Sequence, residues 1–109
     1  MTVHTLELST TAERAFAAFA AIGAWWDPAD TTLQSITIPP RVGGRVIAHH
    51  RDRDDDWGEV TRWDPPRALA YGTIEIVFVS TGDRTIVRLE HAGRELDWPK
   101  RLARFAAMI

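Results

Sequence analysis

The chain has no cysteine, which excludes disulfide staples and thiolate metal sites and fits a reducing cytoplasm. Long apolar runs are also missing, and the longest uninterrupted one falls far short of a membrane span. Charge of one sign never accumulates into a basic stripe. The 13 basic and 15 acidic residues are interspersed, with a net charge of −2, so nothing in the sequence is built to neutralise phosphates. Neither nucleic acid nor membrane is therefore an expected partner. The first nine residues alternate polar and apolar, unlike the basic start and apolar run of a signal peptide, so a cytoplasmic location is expected. Repeats, linkers and low-complexity segments are absent too. A length of 109 residues leaves room for one core, and a single domain over residues 1–109 is expected. Folding at this length buries about two-thirds of the unfolded surface, enough to dispense with staples.

What is present in excess is tryptophan. Trp25, Trp26, Trp57, Trp63 and Trp98 make five large rings in a small chain, which means an aromatic-rich core or a lined cavity.

Periodicity divides the chain. Val3–Ser9 alternates, as a half-buried strand does. Ser9-Thr10-Thr11-Ala12-Glu13 starts a helix, with Thr10 as cap and Glu13 at the third helical position; Phe16 and Phe19 share its docking face. Gly23 interrupts it, and Ala24-Trp25-Trp26 forms a second short turn closed by Asp27-Pro28. From Leu33 the period becomes two. Strands are expected over Leu33–Ile38, Arg45–Arg51, Trp57–Trp63 and Ala68–Tyr71, followed by a hairpin of Thr73–Ser80 and Thr85–His91. Gly43-Gly44 makes a tight turn, and Asp52–Asp56 reads as a solvated charged turn. Leu96–Ile109 has Leu102, Phe105, Ala106 and Ile109 at helical spacing, with Pro99 tolerated in the first turn. Strands clustered ahead of a terminal helix indicate an α+β fold, with six to seven strands, rather than a wound parallel sheet.

Several segments then occur in a telling order: Glu13-Arg14-Ala15-Phe16, Trp25-Trp26, Pro40-Arg41-Val42-Gly43-Gly44-Arg45 and Trp57-Gly58-Glu59-Val60-Thr61. Asp64-Pro65-Pro66-Arg67 with Leu69 and Tyr71 follows, and then Thr85-Ile86-Val87-Arg88-Leu89-Glu90-His91. This succession resembles the bacterial branch of the START/Bet v 1-like (SRPBCC) superfamily, the branch called after the activator of the heat-shock protein 90 ATPase. The resemblance implies a helix-grip fold: a seven-stranded antiparallel sheet around a C-terminal helix, with two small helices closing one end. It also implies a pocket between sheet and helix that holds lipids, polyketides, flavonoids or other apolar molecules, turned into an active site in some members. The chain departs from that pattern in three places. The connection from Tyr71 to Thr73 is nearly absent, the stretch from His91 to Trp98 is short, and Arg62 stands where relatives commonly carry a glutamate. The first two departures thin the rim of the pocket, leaving it smaller, open, or completed by a second subunit.

Strand alternation and the resemblance together nominate the pocket residues Trp25, Trp26, Val46, Ala48, His50, Val60, Tyr71, Ile76, Phe78, Leu89, His91, Trp98 and Leu102. Val46, Ala48 and His50 share one side of their strand, with Ile47 and His49 on the other. Ile74, Ile76 and Phe78 on one strand of the hairpin should pair with Val87, Leu89 and His91 on the other. His50 and His91 have two readings: proton-exchanging or ligand-orienting groups in an apolar cavity, or core histidines satisfied by backbone or water. The second is favoured, because pocket linings carry few polar members. Trp25-Trp26 is either a lid or a plug. Trp57 and Trp63 should share a face opposite Val60 and Arg62, which would mark an interaction surface if it pointed outward. No spacing offers the three or four converging ligands of a metal centre, no motif calls for a cofactor, and no nucleophile elbow is present. The expected function is binding of a small hydrophobic or aromatic molecule. A cyclase- or hydrolase-type enzyme with His50 or His91 as base, and a co-chaperone-like or homodimeric interaction domain, are the alternatives.

Overall fold

A computed structural model describes residues 2–26, 31–92 and 98–108. The elements are β1 (Thr2–Leu8), α1 (Ala12–Ala20), a 3₁₀ turn (Ile22–Ala24), β2 (Leu33–Thr37), β3 (Arg45–His50), β4 (Asp54–Asp64), β5 (Ala68–Tyr71), β6 (Ile74–Thr81), β7 (Arg84–His91) and α2 (Trp98–Ala107). The seven strands form one antiparallel sheet in the order β1-β7-β6-β5-β4-β3-β2. The sheet is curled and the C-terminal helix packs with α1 against its inner face. This is an α+β helix-grip architecture. Among the described residues, no helix is long and apolar enough to cross a membrane.

Antiparallel partners project to the same face, so the register fixes what lines the interior. Thr2, His91, Ile74, Tyr71 and Val60 stand side by side across five strands, and the next inward row is His4, Leu89, Ile76, Leu69 and Trp63. Leu6, Val87 and Phe78 follow. Onto these rows come Phe16 and Phe19 from α1, and Trp98, Leu102 and Phe105 from α2, all buried. Arg101 and Arg104 flank that stripe and seal it at the edges: the Arg101 guanidinium lies 4.5 Å over the Trp26 ring, and Arg104 donates to the Trp26 carbonyl.

The structure corrects four local expectations. The α1 cap is Thr11, whose hydroxyl accepts from the Arg14 N–H, so Glu13 sits at the second helical position. Thr10 is instead buried, and its carbonyl accepts from the equally buried Thr85 hydroxyl at 2.8 Å, tying the helix entry to β7. The short turn is Ile22–Ala24 and contains Gly23; the Trp25 N–H closes it on Ile22, while the indole N–H reaches back to Ala18 at 2.9 Å. That side-chain bond draws Trp25 onto α1 and ends the turn.

The third correction concerns the aspartate run. Asp54–Asp56 opens β4 instead of forming a loop, because cationic and imidazole partners on β3 meet the carboxylates: His49 with Asp54, His50 with Asp55, Arg45 with Asp56. The fourth concerns β4 itself. Its register shifts twice, once between the partners of Val46 and Ile47, and again between Val60 and Arg62. Each bulge resets the alternation, so Trp57, Val60 and Trp63 all reach the core and the outward aromatic face does not exist. Arg62 is turned to the outer face, where it faces Glu75 at 3.8 Å. Asp27-Pro28, the connection over residues 93–97 and Ile109 lie outside the described residues.

Candidate functional site

The space between sheet and helices is mostly filled by rings. Trp63 meets Phe16 edge-on at 5.1 Å, Phe16 meets Phe78 at 5.4 Å, and Phe78 meets Phe19 at 6.1 Å. Phe19 contacts both Trp25 and Phe105, and Trp25 contacts Trp26. Trp26 then touches Trp57 at 4.8 Å and Trp98 at 5.5 Å. Such tilted and edge-on pairs add about 0.5–1.5 kcal/mol each beyond area burial. An aromatic chain therefore occupies the place where a deep cavity would lie.

At the end of that chain a half-open cavity of about 190 Å³ remains, lined by Trp26, Trp57, Tyr71, Thr73 and Ile74. Local geometry explains each wall. Trp57 occupies the first β4 bulge, which the Asp56 carboxylate pins: one oxygen accepts from the Gly58 N–H at 2.9 Å, the other from Arg45 at 3.0 Å. That pairing, with the Arg45 hydrogen bond foremost, holds the Asp56 carboxyl below its usual range. Thr73 and Ile74 come from the abrupt β5–β6 turn, which Gly72 allows through a φ of +54°. The Gly72 N–H donates to the Glu59 carbonyl at 3.1 Å, so the turn is clamped against β4 beside Trp57.

Tyr71 is the last residue of β5 and 1% exposed. Its hydroxyl has no hydrogen-bond partner among the described residues, and burial pushes the phenol well above its usual pKa. The hydroxyl therefore stays protonated at neutral pH.

All the residues nominated from sequence are buried. Trp26 and Tyr71 border the cavity. Trp25, Val46, Val60, Ile76, Phe78, Leu89, Trp98 and Leu102 belong to the packed cluster behind it, and Ala48 lies buried on β3. His50 points inward from β3, but its ring is engaged on both nitrogens: Nδ1 lies 3.0 Å from the Thr32 hydroxyl and Nε2 3.0 Å from Asp55. His91 stacks on His4 at 5.5 Å and tilts against Trp98 at 6.3 Å. Neither histidine borders the cavity. Thr37 and Asp54 hold His49 on the outer face.

Trp57 and Thr73 border the cavity although the sequence pattern does not point to them, and Ile74, expected on the inward face of its hairpin, joins them there. Strict alternation turned Trp57 the wrong way, although Gly58 inside a strand is the mark of a bulge. The expected strand starts at Thr73, while β6 starts at Ile74 and Thr73 lies in the turn that Gly72 makes; together the two form the cavity's rim. Among the described residues, no group of three His, Asp or Glu is placed to hold a metal ion.

A second, shallower groove of about 450 Å³ runs between edge strand β1 and α2, lined by Val3, His4, Thr5, Leu6, Pro99, Leu102 and Ala103.

No protein-family model and no curated protein matches the chain. Solved structures do. A Cytophaga hutchinsonii protein known in solution superposes with a TM-score of 0.70 at 17% identity, covering 97% of this chain and 89% of that one. The Aha1 dimer of Colwellia psychrerythraea gives 0.68 at 18% identity, covering 99% and 92%. CalU16 of Micromonospora echinospora gives 0.63 at 18%, covering 97% and 73%. At such identities the likeness is one of fold, and it extends over nearly the whole chain.

Proposed function

We propose that this chain is a START/Bet v 1-like (SRPBCC) domain of the cytoplasm that binds one small aromatic molecule in the cavity of Trp26, Trp57, Tyr71, Thr73 and Ile74. The carrying observation is the cavity's make-up: three aromatic side chains around about 190 Å³ at the end of the ring cluster formed by the described residues. Apolar cavities of about 150 Å³ hold benzene, so this one suits a single ring or a compact bicycle. A lipid chain or polyketide is too large for this cavity, and among the described residues Phe19, Trp25, Trp98 and Phe105 fill the adjoining interior. Catalysis is the weaker reading, since His50 already has Thr32 and Asp55 and does not reach the cavity.

Trp26 and Trp57 make the test direct. Toluene, p-cresol and indole should each change tryptophan emission saturably, palmitate should not, and Trp57→Ala should weaken the response at least tenfold. No saturable change with any of the three rings would refute the reading.

A second reading rests on a separate observation. β1 is an edge strand whose Val3 is 44% exposed beside the groove to α2, and the Colwellia neighbour is described as a dimer. A second copy laid along β1 would continue the sheet and cover that groove. Light scattering at a mass of one chain across micromolar to millimolar concentrations would exclude it.

A further inference from the structure

The two edges of the sheet are built differently. β2 is five residues long, its register shifts between Leu33 and Ser35, and Pro39-Pro40 follows it. Short length, a bulge and proline are among the means by which natural edges resist pairing with another chain. β1 has none of them. It runs for seven residues in unbroken register with β7, and its sequence Thr2-Val3-His4-Thr5-Leu6-Glu7-Leu8 holds one carboxylate and no lysine, arginine or proline.

The register also determines which backbone groups of β1 face outward. Alternate residues of an antiparallel strand turn their N–H and C=O to opposite neighbours. The Ala92 N–H donates to the Thr73 carbonyl at 3.1 Å, on the β6 side of β7. His91, Leu89, Val87 and Thr85 therefore turn their groups to β1, where their partners are Thr2, His4, Leu6 and Leu8. Val3, Thr5 and Glu7 alternate with these, so their N–H and C=O groups point to the open side of the edge. The three side chains are exposed as well.

We infer that β1 joins a second copy of the chain about a two-fold axis at Thr5, with Thr5 against Thr5 and Val3 against Glu7 in one continuous sheet. This inference rests on the dimer reading given above and supplies its register. Hydrogen bonding and charge select the same alignment. Centred on Thr5, every outward-turned residue meets an outward-turned partner, and each such pair exchanges two hydrogen bonds. Moving the axis towards either end of β1 leaves one of them beyond the end of the partner strand, and an axis at Glu7 would also set like charges opposite. In the Thr5 register each Glu7 faces a valine, and Arg84 of its own chain already meets its carboxylate. Threonine opposite threonine is a favourable cross-strand pair. On the inner face, His4 falls opposite Leu6 of the second copy, so the two grooves between β1 and α2 adjoin.

The chain has no cysteine, so single introduced cysteines report the register without background. Hydrogen-bonded partners stand about 5.5 Å apart at Cα, inside the disulfide range. With copper phenanthroline, Thr5→Cys should therefore give a covalent dimer. Val3→Cys should not, because its two copies lie about 14 Å apart. Thr5→Pro supplies a second arm. It removes an N–H that β7 does not use, so circular dichroism should stay that of wild type while the mass by light scattering falls from two chains to one. The cysteine arm stands whether or not the proline variant folds. A dimer that survives in folded Thr5→Pro would overturn the inference and the reading of β1 as the interface. Cross-linking through Val3→Cys instead of Thr5→Cys would overturn the register and uphold the interface. A wild-type mass of one chain from micromolar to millimolar concentration would overturn both, leaving the edge to an extended segment of another protein.

Discussion

Gly58 and Gly72 meet backbone to backbone. A Cβ on Gly58 would stand 2.6 Å from the Gly72 Cα, and one on Gly72 would stand 2.6 Å from the Trp57 carbonyl oxygen. Both residues also have positive φ, +123° and +54°. Two separate constraints, conformation and space, thus coincide at the joint that sets Trp57 beside Thr73 and Ile74. Gly58→Ala and Gly72→Ala should each cost about 2–4 kcal/mol in urea denaturation, more than the roughly 1 kcal/mol of an ordinary glycine substitution in open space. Ligand response should fall with them. A loss below 1 kcal/mol at either position would show that the joint yields.

Phe19 is the branch point of the aromatic chain. It is fully buried and contacts Trp25, Phe78 and Phe105, thereby joining α1, β6 and α2. Phe19→Ala should remove about 3–5 kcal/mol of stability and most of the near-ultraviolet circular dichroism. Retention of that spectrum would mean that the rings hold their arrangement without it.

Asp56 carries a pH-dependent contribution. Its carboxyl is depressed in the folded state, first by the Arg45 hydrogen bond and then by the Gly58 N–H. A depressed acid binds its proton more weakly when folded, so its contribution is full above the ordinary value of 3.8 and disappears as pH falls below it. The denaturation midpoint of Asp56→Asn should therefore lie below wild type at pH 6 and approach it towards pH 2.5. A constant gap between the two would assign the effect to packing. Both partners are about half exposed, so added salt should narrow the gap at pH 6.

His50 should behave as a structural residue. His50→Leu keeps its bulk but removes the contacts to Thr32 and Asp55, at an expected cost of about 1–3 kcal/mol. Aromatic ligand affinity should be unchanged. A tenfold drop in affinity would return His50 to the site.

The order of elements was readable because each strand carries its own turn residues, and because the inward rows of β6 and β7 alternate without interruption. That alternation sets Ile74, Ile76 and Phe78 on one face with Val87, Leu89 and His91, and the hairpin pairs them as Ile74–His91, Ile76–Leu89 and Phe78–Val87. β4 was harder. Its two bulges shift the face of every residue beyond them, and a bulge is set by neighbouring strands that local sequence does not describe. Trp57 was misplaced for this reason. The aspartates of Asp54–Asp56 misled for a similar one: they resemble a loop until Arg45, His49 and His50 are brought opposite them. Which nominated residues would border empty space, and which would fill it, depends on how Trp25, Trp98 and Phe105 share one volume. Periodicity carries no information about that.

The ring chain has an optical consequence. Trp25, Trp26, Trp57 and Trp98 are linked through Trp26 at centroid separations of 6.0, 4.8 and 5.5 Å, close enough for excitation to migrate between them before emission. Light absorbed anywhere in this set reports on whichever member is quenched most strongly. Trp63, at the far end against Phe16, serves as a more isolated reference. Those four indoles should therefore respond as one coupled chromophore, with Trp57 at the mouth of the cavity.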